Sequence, residues 1–172
     1  MRTPIAALAV LALAAPAFAQ TAAAPLHVEL KNNAGASVGH AMISEAPNGV
    51  LMRVEAKGLP PGWHGLHFHE KADCSKSDFT SAGGHVHDKP TMVHGLLNPD
   101  ANEAGDLPNL FVARDGTANA EFFSTYVSLK ASGKVQLADA DGSALVIHAS
   151  PDDHKTQPIG GAGARIACGA IK

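Results

Sequence analysis

The chain has 172 residues, with 13 Lys+Arg against 16 Asp+Glu, a formal charge of −3, 45% hydrophobic residues and two cysteines. That length fits one domain with at most a targeting segment, and an acidic balance without any basic block excludes a dedicated nucleic-acid binder. Abundant turn formers (17 Gly, 11 Pro) exclude a coiled coil, while ten histidines beside one Trp and one Tyr ask first for a metal.

Residues 1–19 read MRTPIAALAVLALAAPAFA. Arg2 precedes an unbroken apolar run over 5–15, Pro16 interrupts it, and Ala17-Phe18-Ala19 has the small-x-small pattern of a cleavage site. This predicts a secretory signal peptide cut near Ala19, too short to serve as a membrane anchor. The mature domain is then 20–172, periplasmic or secreted, with no further stretch of membrane-spanning length. In that oxidising setting an even cysteine count predicts a Cys74–Cys168 disulfide.

Strand-like alternation follows in chain order over 26–30, more weakly over 36–46, and clearly over 50–57. In the last of these, Val50, Met52, Val54 and Ala56 share one face and Arg53, Glu55 and Lys57 the other. Pro47-Asn48-Gly49 between two such runs signals a hairpin. Strand-like runs return over 109–113, 118–127, 143–148 and 164–168, with turns at Asp115-Gly116 and Asp141-Gly142. No segment carries a long 3.6-residue period. Short strands with Gly/Asp/Asn turns and no helix predict an all-β antiparallel sandwich or barrel. Two stretches, 70–108 and 149–163, break the rhythm. Structureless connections of that length in a compact domain are usually functional or disordered.

Six of the ten histidines (His64, His67, His69, His85, His87 and His94) fall between 64 and 94. On a strand, His67 and His69 project to one face, where two imidazoles can converge on one ion. A second apolar run ends in Val146-Ile147-His148. Clustered neutral imidazole suits copper, zinc, nickel or iron.

In chain order come Gly65-Leu66-His67-Phe68-His69-Glu70, Asp73-Cys74, Ser81-Ala82-Gly83-Gly84-His85, His94-Gly95, Gly105-Asp106-Leu107-Pro108, Leu145-Val146-Ile147-His148 and Gly160-Gly161-Ala162-Gly163-Ala164-Arg165-Ile166-Ala167-Cys168-Gly169. Together these pieces resemble the Cu/Zn superoxide dismutases of the bacterial exported type. The resemblance implies a Greek-key antiparallel β-sandwich, or flattened barrel, with two long functional loops. It implies copper held by His67, His69, His85 and His148, and zinc held by His85, His94 and Asp106, with His85 bridging the two. It also implies Asp152 as the carboxylate orienting histidines of both metals, Arg165 beside copper as the catalytic cation, and Cys74–Cys168 as the family disulfide. The activity implied is disproportionation of superoxide to dioxygen and hydrogen peroxide, with His85 expected to leave copper and take a proton in the reducing half.

One position departs from the family pattern. A third zinc histidine is expected three residues before Asp106, where this chain has Glu103. Glu103 can ligate zinc through oxygen, His87 can substitute for it, or zinc binding can be weakened. We expect a retained but altered site and leave Glu103 and His87 open. Lys155 is a weaker candidate for drawing in the anionic substrate. His154 reads as a polar loop residue, His27 and His40 as face residues of early strands, and His64 as a structural hydrogen-bonding histidine. The same copper histidines also fit an exported copper-storage protein without turnover, and Arg165 discriminates, because storage has no use for a cation beside copper. A homodimer is compatible with the family's varied assembly, but no interface strand is identifiable.

Overall fold

Among the described residues, eleven strands and one 3₁₀ turn (Thr80–Ala82) organise the fold, and no α-helix occurs. This computed structural model describes residues 24–131 and 134–172, so the signal-peptide reading of 1–19 lies outside the described residues. The strands are β1 (Leu26–Asn32), β2 (Ser37–Ala46), β3 (Gly49–Ala56), β4 (Gly62–His64), β5 (Leu66–His69), β6 (Leu110–Val112), β7 (Ala118–Ser124), β8 (Val127–Ser128), β9 (Val135–Gln136), β10 (Ser143–His148) and β11 (Arg165–Ile171). Seven of them form one sheet in the order β5-β10-β11-β1-β2-β3-β7, with antiparallel pairing throughout. The sheet curls, and β4 with β6 makes a small second sheet. Gly65 alone separates β4 from β5, so one extended run switches sheets there, as strands do at the corners of a sandwich.

The early alternation forms as expected. In β3, Val50, Met52, Val54 and Ala56 are buried, while Leu51 and Arg53 are exposed. Ala46 pairs with Gly49 across the hairpin. The run 118–127 is shorter than its pattern suggested: β7 stops at Ser124, and β8 resumes at Val127 to pair β9 in parallel. That parallel pair departs from the all-antiparallel expectation. It is two residues long, a pairing that residue alternation does not encode.

Strand β10 positions the site. All six of its residues are buried. Leu145 and Ile147 join the main core with Leu66 and Phe68 of β5. Ala144 and Val146 turn to the opposite face and pack with Phe79, Ala82 and Cys168. Cross-strand pairing puts His69 opposite Ala144 and His67 opposite Val146. The two histidines therefore stand on the outer face of the barrel, beneath the 70–108 loop. Burial of Phe79 (about 2–3 kcal/mol for a side chain of that size) and the Cys74–Cys168 bond, with Cα atoms 5.9 Å apart, hold the loop down.

Candidate metal centre

Four imidazole rings meet under that loop, and in each a hydrogen bond to one nitrogen leaves the other free. His69 Nδ1 donates to the Gly83 carbonyl (3.0 Å) and His148 Nδ1 to the Gly163 carbonyl (3.1 Å), freeing both Nε2 atoms, which stand 3.4 Å apart. His67 Nε2 donates to Asp152 (2.8 Å), freeing Nδ1. His85 Nδ1 faces Glu103 (2.8 Å), freeing Nε2. A ring's tautomer follows from the bond its other nitrogen makes. His67 Nδ1 and His85 Nε2 are buried without any hydrogen-bond partner, an arrangement rarely tolerated unless something else satisfies them. The ligand atoms of the four rings lie within 4.8 Å of one another.

A second group adjoins the first through His85. His85, His94, Glu103 and Asp106 offer ligand atoms within the same limit, with His85 Nδ1 2.8 Å from Glu103 Oε2 and 3.3 Å from Asp106 Oδ1. His94 Nδ1 stands 2.8 Å from Asp106 and 3.0 Å from Glu103, while the second Asp106 oxygen accepts the Gly95 N–H at 2.7 Å. The structure therefore brings Glu103 to the acidic group and leaves His87 outside it. His87 is partly exposed, with Nδ1 2.8 Å from the His85 carbonyl and 3.9 Å from Glu70.

Asp152, fully buried, joins the two groups. One oxygen accepts from His67 and the other from His94 Nε2 (3.0 Å) and the His154 N–H (2.6 Å). The Asn109 side-chain amide pairs with both main-chain groups of Asp152, at 2.8 and 2.9 Å. Gly160 is required beside it: its φ is +60°, and a Cβ there would sit 1.6 Å from Asp152 Oδ1. Sequence reading missed Asn109, because a lone amide after a turn carries no signal of its partner.

The two groups differ in electrostatics. Burial pushes His67 down to about 4 and His148 to about 3, and it also pushes His69 well below its ordinary value, so these rings are neutral with lone pairs available. Burial opposes charge on His94 and His85 too, but the facing carboxylates reverse it, raising His94 to about 11 and His85 above its ordinary value. Asp106, Asp152 and Glu103 are held below the usual carboxylate range by those imidazoles, against the effect of burial. The first group is thus a neutral nitrogen donor set. The second pairs two ionised carboxylates with imidazoles that hold protons a divalent cation can displace.

Arg165 donates through Nη1 to the Phe79 carbonyl and through Nη2 to the Gly83 carbonyl, both at 2.5 Å. Gly83 O also accepts from His69, so the guanidinium lies one carbonyl away from a ring of the first group. With Asp78, Thr80 and Gly163, Arg165 lines an open cleft of about 730 Å³. Lys155 is exposed and lies outside both groups. His64 is buried with its ring nitrogens 2.7 Å from the His148 and Pro60 carbonyls, the structural role expected of it. His27 is exposed and His40 half-buried on their strands. His154 is half-buried, 3.4 Å from Asp152.

A family model described as copper/zinc superoxide dismutase (SODC) matches residues 37–171. Superoxide dismutase (Cu-Zn) of Caulobacter vibrioides is 63% identical over 144 residues, 83% of each chain. The crystal structure of a SOD-like protein from Bacillus subtilis is similar at TM-score 0.79 and 40% identity, covering 85% of this chain and 97% of that one. Cu/Zn superoxide dismutase from Brucella abortus is similar at TM-score 0.69 and 31% identity, covering 86% and 99%.

Proposed function

The chain belongs to the copper/zinc superoxide dismutase family, and we propose on that premise how its residues divide the work. It is an enzyme that disproportionates superoxide to dioxygen and hydrogen peroxide, with copper and zinc as cofactors. His67, His69, His85 and His148 would hold copper, and His85, His94, Asp106 and Glu103 would hold zinc. The observation that carries this reading is the convergence of four lone pairs, two of them on buried nitrogens with no other partner.

When bound, copper would supply the one-electron chemistry by which one superoxide gives up an electron and leaves as dioxygen while a second gains that electron and two protons to leave as hydrogen peroxide. The protein's own groups do the rest. His85 would offer Nδ1 to the acidic group and its unpartnered Nε2 to the four-histidine group, and Nε2 would be the atom that takes and returns one of the two protons. Glu103 and Asp106 keep that ring oriented through Nδ1, where zinc would also be held. Asp152 fixes the tautomers of His67 and His94 at once and raises their basicity as ligands. Arg165, always protonated, offers the anionic substrate a positive focus that the overall charge of −3 does not.

The Cys74–Cys168 bond supports an oxidising compartment, and we place the mature chain, cut near Ala19, in the periplasm or outside the cell. No helix among the described residues is long and apolar enough to cross a membrane. Trp63 and Phe111, exposed and 4.9 Å apart on the small sheet, are the surface a homodimer would use, and sedimentation of Trp63→Ser against wild type tests it. Superoxide consumption by copper- and zinc-loaded protein tests the activity itself. Turnover separates the enzyme from copper storage, and copper binding with no turnover would leave storage as the function.

A further inference from the structure

His94 sits in the middle of the irregular 70–108 stretch, in no strand, yet it is fully buried. Buried main-chain groups must find partners, and Gln157 supplies one to each main-chain group of His94, whose carbonyl also accepts from Asn98 Nδ2 at 3.3 Å. Gln157 Oε1 accepts the His94 N–H at 2.9 Å, and Gln157 Nε2 donates to the His94 carbonyl, also at 2.9 Å. The second amide hydrogen goes to the Lys155 carbonyl at 3.0 Å. This set fixes which way the amide points, since a flipped amide would set its oxygen against two carbonyls.

The adjoining contacts extend the grip. Leu97 N–H donates to the His154 carbonyl at 3.1 Å, and Gly95 lies so close to that carbonyl that a Cβ would meet it at 2.2 Å. Segment 152–157 thus takes the place of a partner strand for 94–97. The outer side of Gln157 is exposed, but its two bonds close against a buried residue.

We infer that Gln157 is a positioning residue for the second metal, acting through the main chain of His94. The inference rests on the assignment of His94 as a ligand of that metal. Asp152 already holds the His94 ring at Nε2. With the ring held there and the main chain held by Gln157, Nδ1 is aimed at Glu103 and Asp106. Without Gln157 the His94 N–H loses its partner and the carbonyl keeps only a 3.3 Å bond from Asn98 Nδ2, so the main chain that carries the ring is held less firmly.

The test uses disulfide-intact, copper-loaded protein and cobalt(II) as the probe of the second site, followed through its visible d–d bands. Gln157→Leu removes all three bonds, whereas Gln157→Glu removes the donors and keeps an acceptor. Ile43→Val, in the core and away from the site, controls for general loss of stability. Gln157→Leu should bind cobalt about tenfold more weakly and release it faster to a chelator. Gln157→Glu, whose second oxygen would face the His94 and Lys155 carbonyls, should also bind cobalt more weakly than wild type, Ile43→Val should match wild type, and the copper(II) band should not move. If Gln157→Leu does not fold, Gln157→Glu decides. Cobalt affinity within about twofold of wild type in the Gln157 variants, or an equal loss in Ile43→Val, overturns the inference while leaving the ligand assignment intact. Wild-type protein that takes up no cobalt beside copper overturns both.

Discussion

In the proposed zinc site, Glu103 changes the charge as well as the donor atom. With Asp106 it places two ionised carboxylates against His85 and His94, a harder donor set than three imidazoles and one carboxylate. Glu103→Ala should lose zinc while keeping copper, and His87→Ala should keep both, as measured by metal analysis of purified protein. Zinc retained in Glu103→Ala and lost in His87→Ala would reverse the assignment. Arg165→Ala should slow the second-order reaction with superoxide about tenfold or more and flatten its salt dependence, since steering is worth about 10–1,000-fold at low salt. An unchanged rate and salt slope would remove the steering role. Gly160→Ala should drive Asp152 off both rings and weaken both metals by about 10–100-fold, which competition with a chelator measures. At this scale the sequence made His67, His69 and His148 legible through strand spacing and Arg165 through the resemblance. It left Glu103 and His87 undecided because their separation in space depends on a loop path that no periodicity records. Asn109 and Gln157 were invisible for the same reason: each acts on another residue's main chain.

The elements that matter most are β10 and the loop over its outer face. Strand β10 read as a continuous apolar run because it is buried on both sides, by the barrel core and by Phe79, Ala82 and Cys168. The alternating strands β1, β2 and β3 were legible because each has one wet face. Strands β4, β8 and β9, two or three residues long, were not, since pairing made elsewhere defines them. The disulfide spans 94 residues, and closing a loop of that size stabilises the folded state by about 4–5 kcal/mol on a chain-entropy argument. Cys74→Ser with Cys168→Ser should therefore lower the unfolding free energy of metal-free protein by several kcal/mol in denaturant titrations. It should also loosen Gly83, whose carbonyl orients both His69 and Arg165. A midpoint equal to wild type would mean that packing alone holds the loop.

Across the whole molecule the histidines set opposing pH dependences for the metal-free protein. His67 and His148, held at about 4 and about 3 when folded, bind fewer protons than their unfolded counterparts, so their contribution rises with pH up to the ordinary value near 6.5. His94, raised to about 11, binds its proton more tightly when folded. Its contribution is complete below 6.5 and is lost as pH climbs toward 11. Asp106, Asp152 and Glu103, all depressed, add stability that disappears in acid below their ordinary range. Thermal unfolding of metal-free protein should therefore show greatest stability around pH 6.5 and a decline on both sides, whereas a steady rise through pH 9 would contradict the acidic second group. Zinc displaces protons from the raised histidines, so zinc affinity should increase with pH across the same range. Diffraction from copper- and zinc-loaded crystals at each metal's absorption edge tests the shared centre most directly. The account predicts copper bounded by His67, His69, His85 and His148, and zinc bounded by His85, His94, Glu103 and Asp106, with nitrogen bonds of about 2.0–2.1 Å at zinc. Copper seated away from those four rings, or two metals with no common histidine, would contradict it.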